Sequence, residues 1–277
     1  MMGTNRDEEL LRGLKKEQQK RPELAKIISL HQEVITARAE VEPEVTHLRP
    51  DEKEVEELIE RRVPLLRRWE LQWDEESLSR LSAQICDIGA RHRHEMAPQF
   101  EEIRSVLTDD PDQTRKLVKG YLREGRVEPP GRPDIDQEVL SFVLNNALHP
   151  FLQTHAAVLT PLIEDQKWYQ RLCPVCGGEP DLGYLEKKVG GLRLLCSRCD
   201  TVWTYKRSEC TFCGNSDRET FAYYLGDDEV YRLYVCDKCK RYLKVIDGRQ
   251  TARKPILPLQ RITTIGMDIS ARQEGYH

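Results

Sequence analysis

Eight of the nine cysteines of this 277-residue chain fall between Cys173 and Cys239, in four pairs of identical spacing. They are Cys173-Pro-Val-Cys176, Cys196-Ser-Arg-Cys199, Cys210-Thr-Phe-Cys213 and Cys236-Asp-Lys-Cys239. A C-x2-C turn points two sulfurs at one ion and leaves backbone N–H groups to hydrogen-bond them. Two such turns complete a tetrahedron. Nineteen residues separate the first two pairs and twenty-two the last two, enough for a β-hairpin each. The expected sets are therefore sequential, Cys173, Cys176, Cys196 and Cys199, then Cys210, Cys213, Cys236 and Cys239, rather than interleaved. Four thiolates suit zinc, and equally a single rubredoxin-type iron. The expected cofactors are thus two metal ions per chain, zinc or iron.

Four protein ligands leave no coordination position for substrate. Such a closed site is most often a staple for a small β-domain that cannot bury a sufficient core. It supplies about 10–16 kcal/mol of apparent binding energy that is also folding energy.

Other residues offer less chemistry. Cys86 sits beside Ile85 on an expected helix and reads as a buried apolar thiol. His92 and His94 are two apart, so a helix splays them to different faces. His149 and His155 read as ordinary core or surface histidines. No Ser-His-Asp arrangement, phosphate loop or HExxH is present, and no catalytic residue is expected. Lys187, Lys188, Arg193, Arg198, Lys206 and Arg207 interleave with Trp203 and Tyr205, a pattern that can bind nucleic acid. A solvated hairpin surface over packed aromatics explains it better.

Composition sets the frame. Hydrophobic residues make up 39% and charged residues 32%, a globular balance, and the net charge of −4 argues against general nucleic-acid binding. The first 170 residues are acidic overall and residues 171–254 mildly basic. No apolar run approaches the roughly 20 residues of a membrane helix, so no membrane partner is expected. The charged N-terminal stretch lacks the apolar centre of a secretory signal. A cytoplasmic location follows as an expectation, and reduced thiols there favour metal over disulfides.

The elements that must position the cysteines come after a helical first part. ELAKIISLHQEVITARAEV carries Leu24, Ile27, Ile28, Val34 and Ile35 near one face, with Pro22 near its start. A second helix is expected from Asp51, with Val55, Leu58 and Ile59 as its stripe. A third runs from about Asp74 through Leu78, Leu81, Ile85 and Ile88. A fourth covers DPDQTRKLVKGYLREG, capped by Asp110 or Asp112. EPPGRPD, from Glu128 to Asp134, reads as a loop. One or two long helices follow, with Pro150 and Pro161 set to kink or divide them.

After Leu172 the pattern alternates. DLGYLEKK, GLRLLC, TVWTYKR, TFAYYL, VYRLYVC and RYLKVID read as strands. Gly190-Gly191 and Gly226-Asp227-Asp228 supply hairpin turns. A last helix is expected from about Leu259 to Gln273, with Ile262, Ile265 and Ile269 as its stripe and Gly275 at its cap. The fold class is α+β: an N-terminal all-α bundle, two tandem rubredoxin-like or zinc-ribbon β units, and a short C-terminal helix. The expected limits are 1–170, 171–254 and 255–277.

These residues resemble the formate dehydrogenase accessory proteins, the FdhE family. The likeness rests on CPVCG at Cys173, LLCSRCDTVWTYKRSECTFCG from Leu194 to Gly214, VCDKCKRYLKV from Val235 and MDISARQEGY from Met267 to Tyr276. It implies a non-enzymatic maturation factor that contacts the molybdenum-containing catalytic subunit of formate dehydrogenase in the cytoplasm. It also implies that the eight cysteines from Cys173 to Cys239 are the ligands of rubredoxin-like sites. Rubredoxin knuckles place glycine after the second cysteine. Gly177 and Gly214 follow that pattern, whereas Asp200 and Lys240 depart from it. Competing readings are a zinc-ribbon nucleic-acid-binding protein and a rubredoxin-like electron-transfer protein. Oligomeric state is left open.

Overall fold

The computed structural model describes residues 2–45, 48–164, 167–188, 190–226 and 229–277. The expected turn residues Asp227 and Asp228 lie outside the described residues. The chain divides into two compact units, one built from residues 1–48 and 69–158, the other from 49–68 and 159–277.

The first unit is all helix: α1 (Met2–Lys20), α2 (Ala25–Ala39), α4 (Glu75–His92), α5 (Ala97–Thr108), α6 (Pro111–Glu124) and α7 (Gln137–Leu159), with α3 (Glu52–Glu60) falling in the second unit. Sequence signals explain the ends. Asp74 accepts the Ser77 N–H at the start of α4, and Asp110 accepts those of Asp112 and Gln113 at the start of α6. Of the two expected caps for α6, Asp110 is the one used. Gly125 closes that helix in the left-handed region at φ +82°.

The stripes meet in a core that includes Ile28, Val34, Ile35, Leu81, Ile85, Ile103 and Val118. Helices α4 and α5 approach closely at Gly89, where a Cβ would collide with the Phe100 ring. Pro150 lies inside α7 without dividing it. The helix ends in a short 3-10 turn at Thr160–Leu162, where Pro161 stops it.

The second unit holds one six-stranded sheet of order β3-β2-β1-β6-β5-β4. Its strands are β1 (Pro180–Leu185), β2 (Leu192–Cys196), β3 (Val202–Tyr205), β4 (Phe221–Leu225), β5 (Tyr231–Cys236) and β6 (Arg241–Asp247). All six alternating segments of the sequence are strands. Each cysteine set encloses one antiparallel hairpin, and the strand after its last cysteine completes a three-stranded ribbon. The two ribbons fuse through the parallel pairing of β1 with β6, from Leu182 opposite Lys244 to Leu185 opposite Asp247. Leu182, Tyr184, Leu195, Ile246 and Leu257 form a core on one sheet face.

The C-terminal segment forms two helices, α8 (Leu257–Thr263) and α9 (Ile265–Gln273), rather than the single helix expected. The break falls at Thr264, which leaves the helical region at ψ +22°. After the break Ile269 faces solvent, 53% exposed, so it is not part of a buried stripe. Ala271 packs instead with Val235 and Tyr276.

Candidate metal centres

The two cysteine-rich sets are built the same way. The turn before β1 carries Cys173 and Cys176, and the turn between β2 and β3 carries Cys196 and Cys199. In the second ribbon, Cys210 and Cys213 precede β4, and Cys236 and Cys239 lie between β5 and β6. A hairpin brings each second pair back to its first. The sulfurs of each sequential set lie within 4.8 Å of one another. No interleaved grouping occurs among the described residues.

The distances suit a four-coordinate ion. Cys173 Sγ lies 3.6 Å from Cys199 Sγ, and Cys176 Sγ lies 3.4 Å from Cys196 Sγ. The second set gives 3.8 Å for Cys210 with Cys239 and 3.6 Å for Cys213 with Cys236. A tetrahedron with metal–sulfur bonds of about 2.3 Å has edges of roughly 3.8 Å. The surroundings favour thiolate sulfur. The backbone N–H of Gly178 donates to Cys176 Sγ, that of Arg198 to Cys196 Sγ, and that of Phe212 to Cys210 Sγ. The Asn215 side-chain amide donates to Cys236 Sγ at 3.6 Å.

Burial separates the two centres. All four sulfurs of the first are buried, whereas Cys213 and Cys239 of the second are only half-buried. Desolvation and the neighbouring sulfurs push the Cys173 thiol well above its ordinary range. Burial also raises Cys210. Burial opposes ionisation of Cys236 as well, but the Cys239 backbone N–H and the Asn215 amide outweigh it and bring the thiol down to about 7. Four adjacent thiolates in a buried set repel one another and lose solvation, and a bound dication removes both costs. Both clusters are thus able to hold a metal ion.

The four knuckles share one backbone form. The residue after each second cysteine has positive φ: Gly177 at 71°, Asp200 at 57°, Gly214 at 74° and Lys240 at 56°. Glycine takes this region freely, whereas other residues pay about 1–2 kcal/mol there. Both exceptions are held by the C-terminal segment. Arg261 donates to Asp200 Oδ1 at 2.8 Å and to the Cys196 carbonyl at 2.7 Å, and it also pairs with Asp181 at 2.7 Å. The His277 N–H donates to the Lys240 carbonyl at 2.8 Å. Lys240 pairs with Asp237, which also accepts from the Tyr276 hydroxyl.

A further brace comes from residues 49–68. The Leu65 N–H donates to the Pro174 carbonyl at 2.8 Å and the Leu66 N–H to that of Val175 at 2.9 Å. Pro64 lies against Gly177, where a Cβ would be 3.3 Å away. Arg241 joins the two ribbons. Its guanidinium grips both oxygens of Glu179 at 2.7 and 2.8 Å and stacks over the Phe212 ring at 3.7 Å.

Residues 172–207 match the model of the FdhE central domain. The chain is 28% identical to a protein FdhE homologue of Aquifex aeolicus over 184 residues, 65% of this chain and 61% of that one. It is 38% identical to a homologue from Shewanella oneidensis over 110 residues, 39% of this chain and 36% of that one. The crystal structure of the FdhE protein from Pseudomonas aeruginosa superposes with a TM-score of 0.56 at 20% identity, covering 98% of this chain and 91% of that one. The chain is thus similar in sequence to FdhE proteins and shares the fold of one of them.

The FdhE match centres on the first cysteine set and reaches into β3, so Trp203 falls within it. Trp203 is buried and donates its indole N–H to the Gln170 carbonyl at 2.9 Å, which ties the stretch before the first knuckle to β3. Three of the six basic residues in the nucleic-acid pattern are engaged or buried. Arg193 donates to Thr204, Lys206 pairs with Glu209, and Arg198 is buried.

The remaining candidates stay apart from the clusters. Cys86 is buried on α4, and desolvation pushes its thiol up to about 12. The His155 ring accepts the Gln72 N–H and meets the Phe151 carbonyl, and burial lowers its pKa, so it is a neutral core group. His92 pairs with Glu33 at 2.7 Å. No HisCys or carboxylate cluster joins either set among the described residues. Arg261, Asn215 and Tyr276 are neighbours of the centres that spacing alone does not reveal. The one signal was the EGY ending, which carries Tyr276.

Proposed function

We propose that this FdhE-family chain is a non-enzymatic maturation factor that binds the catalytic subunit of a molybdenum-containing formate dehydrogenase in the cytoplasm. The eight cysteines from Cys173 to Cys239 are the ligands of two metal ions, zinc or iron. The observation that carries this reading is the family match seated on the first cluster. Because the matched stretch spans 61% of the Aquifex protein, partner and activity belong to the proposal.

The chemistry of the centres supports a binding role. A four-sulfur set offers substrate no coordination position, because all four of its sulfurs would be taken up by a bound ion. A bound ion would fix the two hairpins and keep the sheet in one shape. Around them the chain's own residues do mechanical work. Arg261 and His277 hold the two strained knuckles, and Arg241 locks one ribbon to the other. This builds a rigid platform from short strands.

The test is genetic. Deleting the gene should lower cellular formate dehydrogenase activity while its transcripts stay unchanged. The wild-type chain should restore activity, and a chain with Cys210→Ser and Cys213→Ser should not. Full restoration by that variant, at equal protein level, would sever the function from the second centre.

A further inference from the structure

The sheet ends on β4, which among the described residues pairs only with β5. Edge strands are ordinarily blunted by charge, proline, bulges or a covering element. Phe221-Ala-Tyr-Tyr-Leu225 has no charge and no proline, and its pairing with β5 runs in unbroken register. Tyr223, Tyr224 and Leu225 are 46%, 60% and 53% exposed.

The ladder shows which backbone groups are free. Gly226 N–H donates to the Tyr231 carbonyl and Asp237 N–H to that of Thr220, so these are hydrogen-bonded rungs. Rungs alternate in an antiparallel pair. Ala222 and Tyr224 therefore bond to β5, and Tyr223 and Leu225 turn their N–H and C=O groups outward. The fold itself uses the equivalent edge. In the first ribbon β1 follows the first knuckle and takes β6 as a neighbour. In the second ribbon β4 holds the same place and has no second neighbour among the described residues.

A pocket of ≈ 290 Å³ lies beside this edge, lined by Phe221, Tyr223, Tyr234, Arg207 and Arg218 among others. Tyr223 stacks on Tyr234 at 5.4 Å. The Tyr234 hydroxyl is buried, and it has no hydrogen-bond partner among the described residues. Arg207 and Arg218 are exposed, and no acidic partner is found for either among the described residues. An open edge, an unsatisfied buried hydroxyl and two unneutralised guanidinium groups thus converge.

We infer that β4 is a docking edge for an extended acidic segment of a partner polypeptide. The segment adds as a seventh strand on Tyr223 and Leu225, sets a side chain against Tyr234 and places carboxylates by Arg207 and Arg218. Strand addition draws affinity from main-chain bonds and specificity from pockets beside the strand. The outward backbone favours peptide over single-stranded nucleic acid, which would use the aromatic rings but not the edge. The identity of the partner rests on the accessory reading above, while the surface rests on β4 alone.

The test measures two probes on the full chain: the purified formate dehydrogenase catalytic subunit and a random Glu–Tyr copolymer. Leu225→Pro removes an outward donor without touching a β5 bond. Tyr234→Phe removes only the hydroxyl. Arg207→Glu with Arg218→Glu reverses the charge. Each variant is first checked for unchanged metal content and thermal midpoint. The inference predicts about tenfold weaker binding for each, with Tyr234→Phe at the low end. It also predicts slowed exchange of the Tyr223 and Leu225 amide hydrogens in the complex.

If the subunit binds wild type and all variants alike, the edge is not the docking site, and the accessory reading stands. If the subunit does not bind wild type, the accessory reading fails and the copolymer decides the surface. Copolymer binding lost in the variants sustains it. No copolymer binding, or preferential binding of oligothymidylate, overturns it.

Discussion

Arg261 on α8 donates to Asp200 Oδ1 at 2.8 Å and thereby holds the second knuckle of the first cysteine set. Its second bond, to the Cys196 carbonyl at 2.7 Å, grips the same turn from its start. Asp200 sits where a rubredoxin-type knuckle has glycine, and its φ of 57° is strained for any other residue. The C-terminal helices therefore do for this turn what a glycine does for its partner at Gly177.

Arg261→Met should loosen the first centre. It removes the guanidinium that Asp181 and Asp200 share, and loss of one partner of a buried pair such as Arg261 with Asp200 costs about 3–5 kcal/mol. Stability to denaturant should fall by that order, and the first metal should leave faster. Adding Asp200→Gly should recover part of the loss, because glycine takes positive φ freely and removes one of the two carboxylates that Arg261 held. No recovery would mean that Arg261 acts through Asp181 and the Cys196 carbonyl rather than through Asp200.

The two centres should release their ions in order. Cys213 and Cys239 are half-buried, while every sulfur of the first set is buried. A chelating dye should strip one equivalent quickly and the second far more slowly. Deleting Tyr276 and His277 removes the bonds to Asp237 and to the Lys240 carbonyl and should speed only the fast phase. A single phase for both ions would show that burial does not govern exchange here.

Replacing Cys173 and Cys176 with Ala should lower bound metal from two ions to one per chain, as read by native mass spectrometry. The helices of residues 69–158 keep their own core, so far-ultraviolet circular dichroism should retain most of its helical signal. Collapse of that signal would show that the helical unit does not hold its structure without the first centre.

Acid should weaken the sheet through Asp247. Its buried carboxylate is bonded by Arg249 and paired with Arg232, and these outweigh burial to hold its pKa at about 2. The folded value lies below the ordinary value of about 3.9, so its contribution is present above pH 4 and is lost as pH falls towards 2. Asp247→Asn should cost roughly 2 kcal/mol at neutral pH. The gap to wild type should close by about pH 2, and a gap unchanged by pH would contradict this assignment.

Much of the architecture was written locally. The C-x2-C spacing foretold both sulfur sets, and alternation foretold all six strands. Caps at Asp51, Asp74 and Asp110 marked helix starts. What escaped depends on contacts distant in sequence. The joining of two ribbons into one sheet rests on β1 pairing with β6, some sixty residues away. The helix from Asp51 reads like its helical neighbours, yet it groups with the ribbons, where the 3-10 turn after it bonds to Pro174 and Val175. Two helices, α1 and α5, lacked a strong stripe flanked by clear signals and were not foreseen. Arg261 looked like any surface arginine, because its carboxylate partners lie sixty to eighty residues upstream.

The central claim is that this chain, similar to FdhE proteins, binds an immature formate dehydrogenase. Affinity capture with the intact, metal-loaded chain from cytoplasmic extract tests it most directly, with mass spectrometry and nucleic-acid staining of the bound fraction. The account predicts recovery of the molybdenum-containing catalytic subunit, with no formate oxidation by the purified chain itself. Recovery of nucleic acid with no dehydrogenase subunit would contradict it.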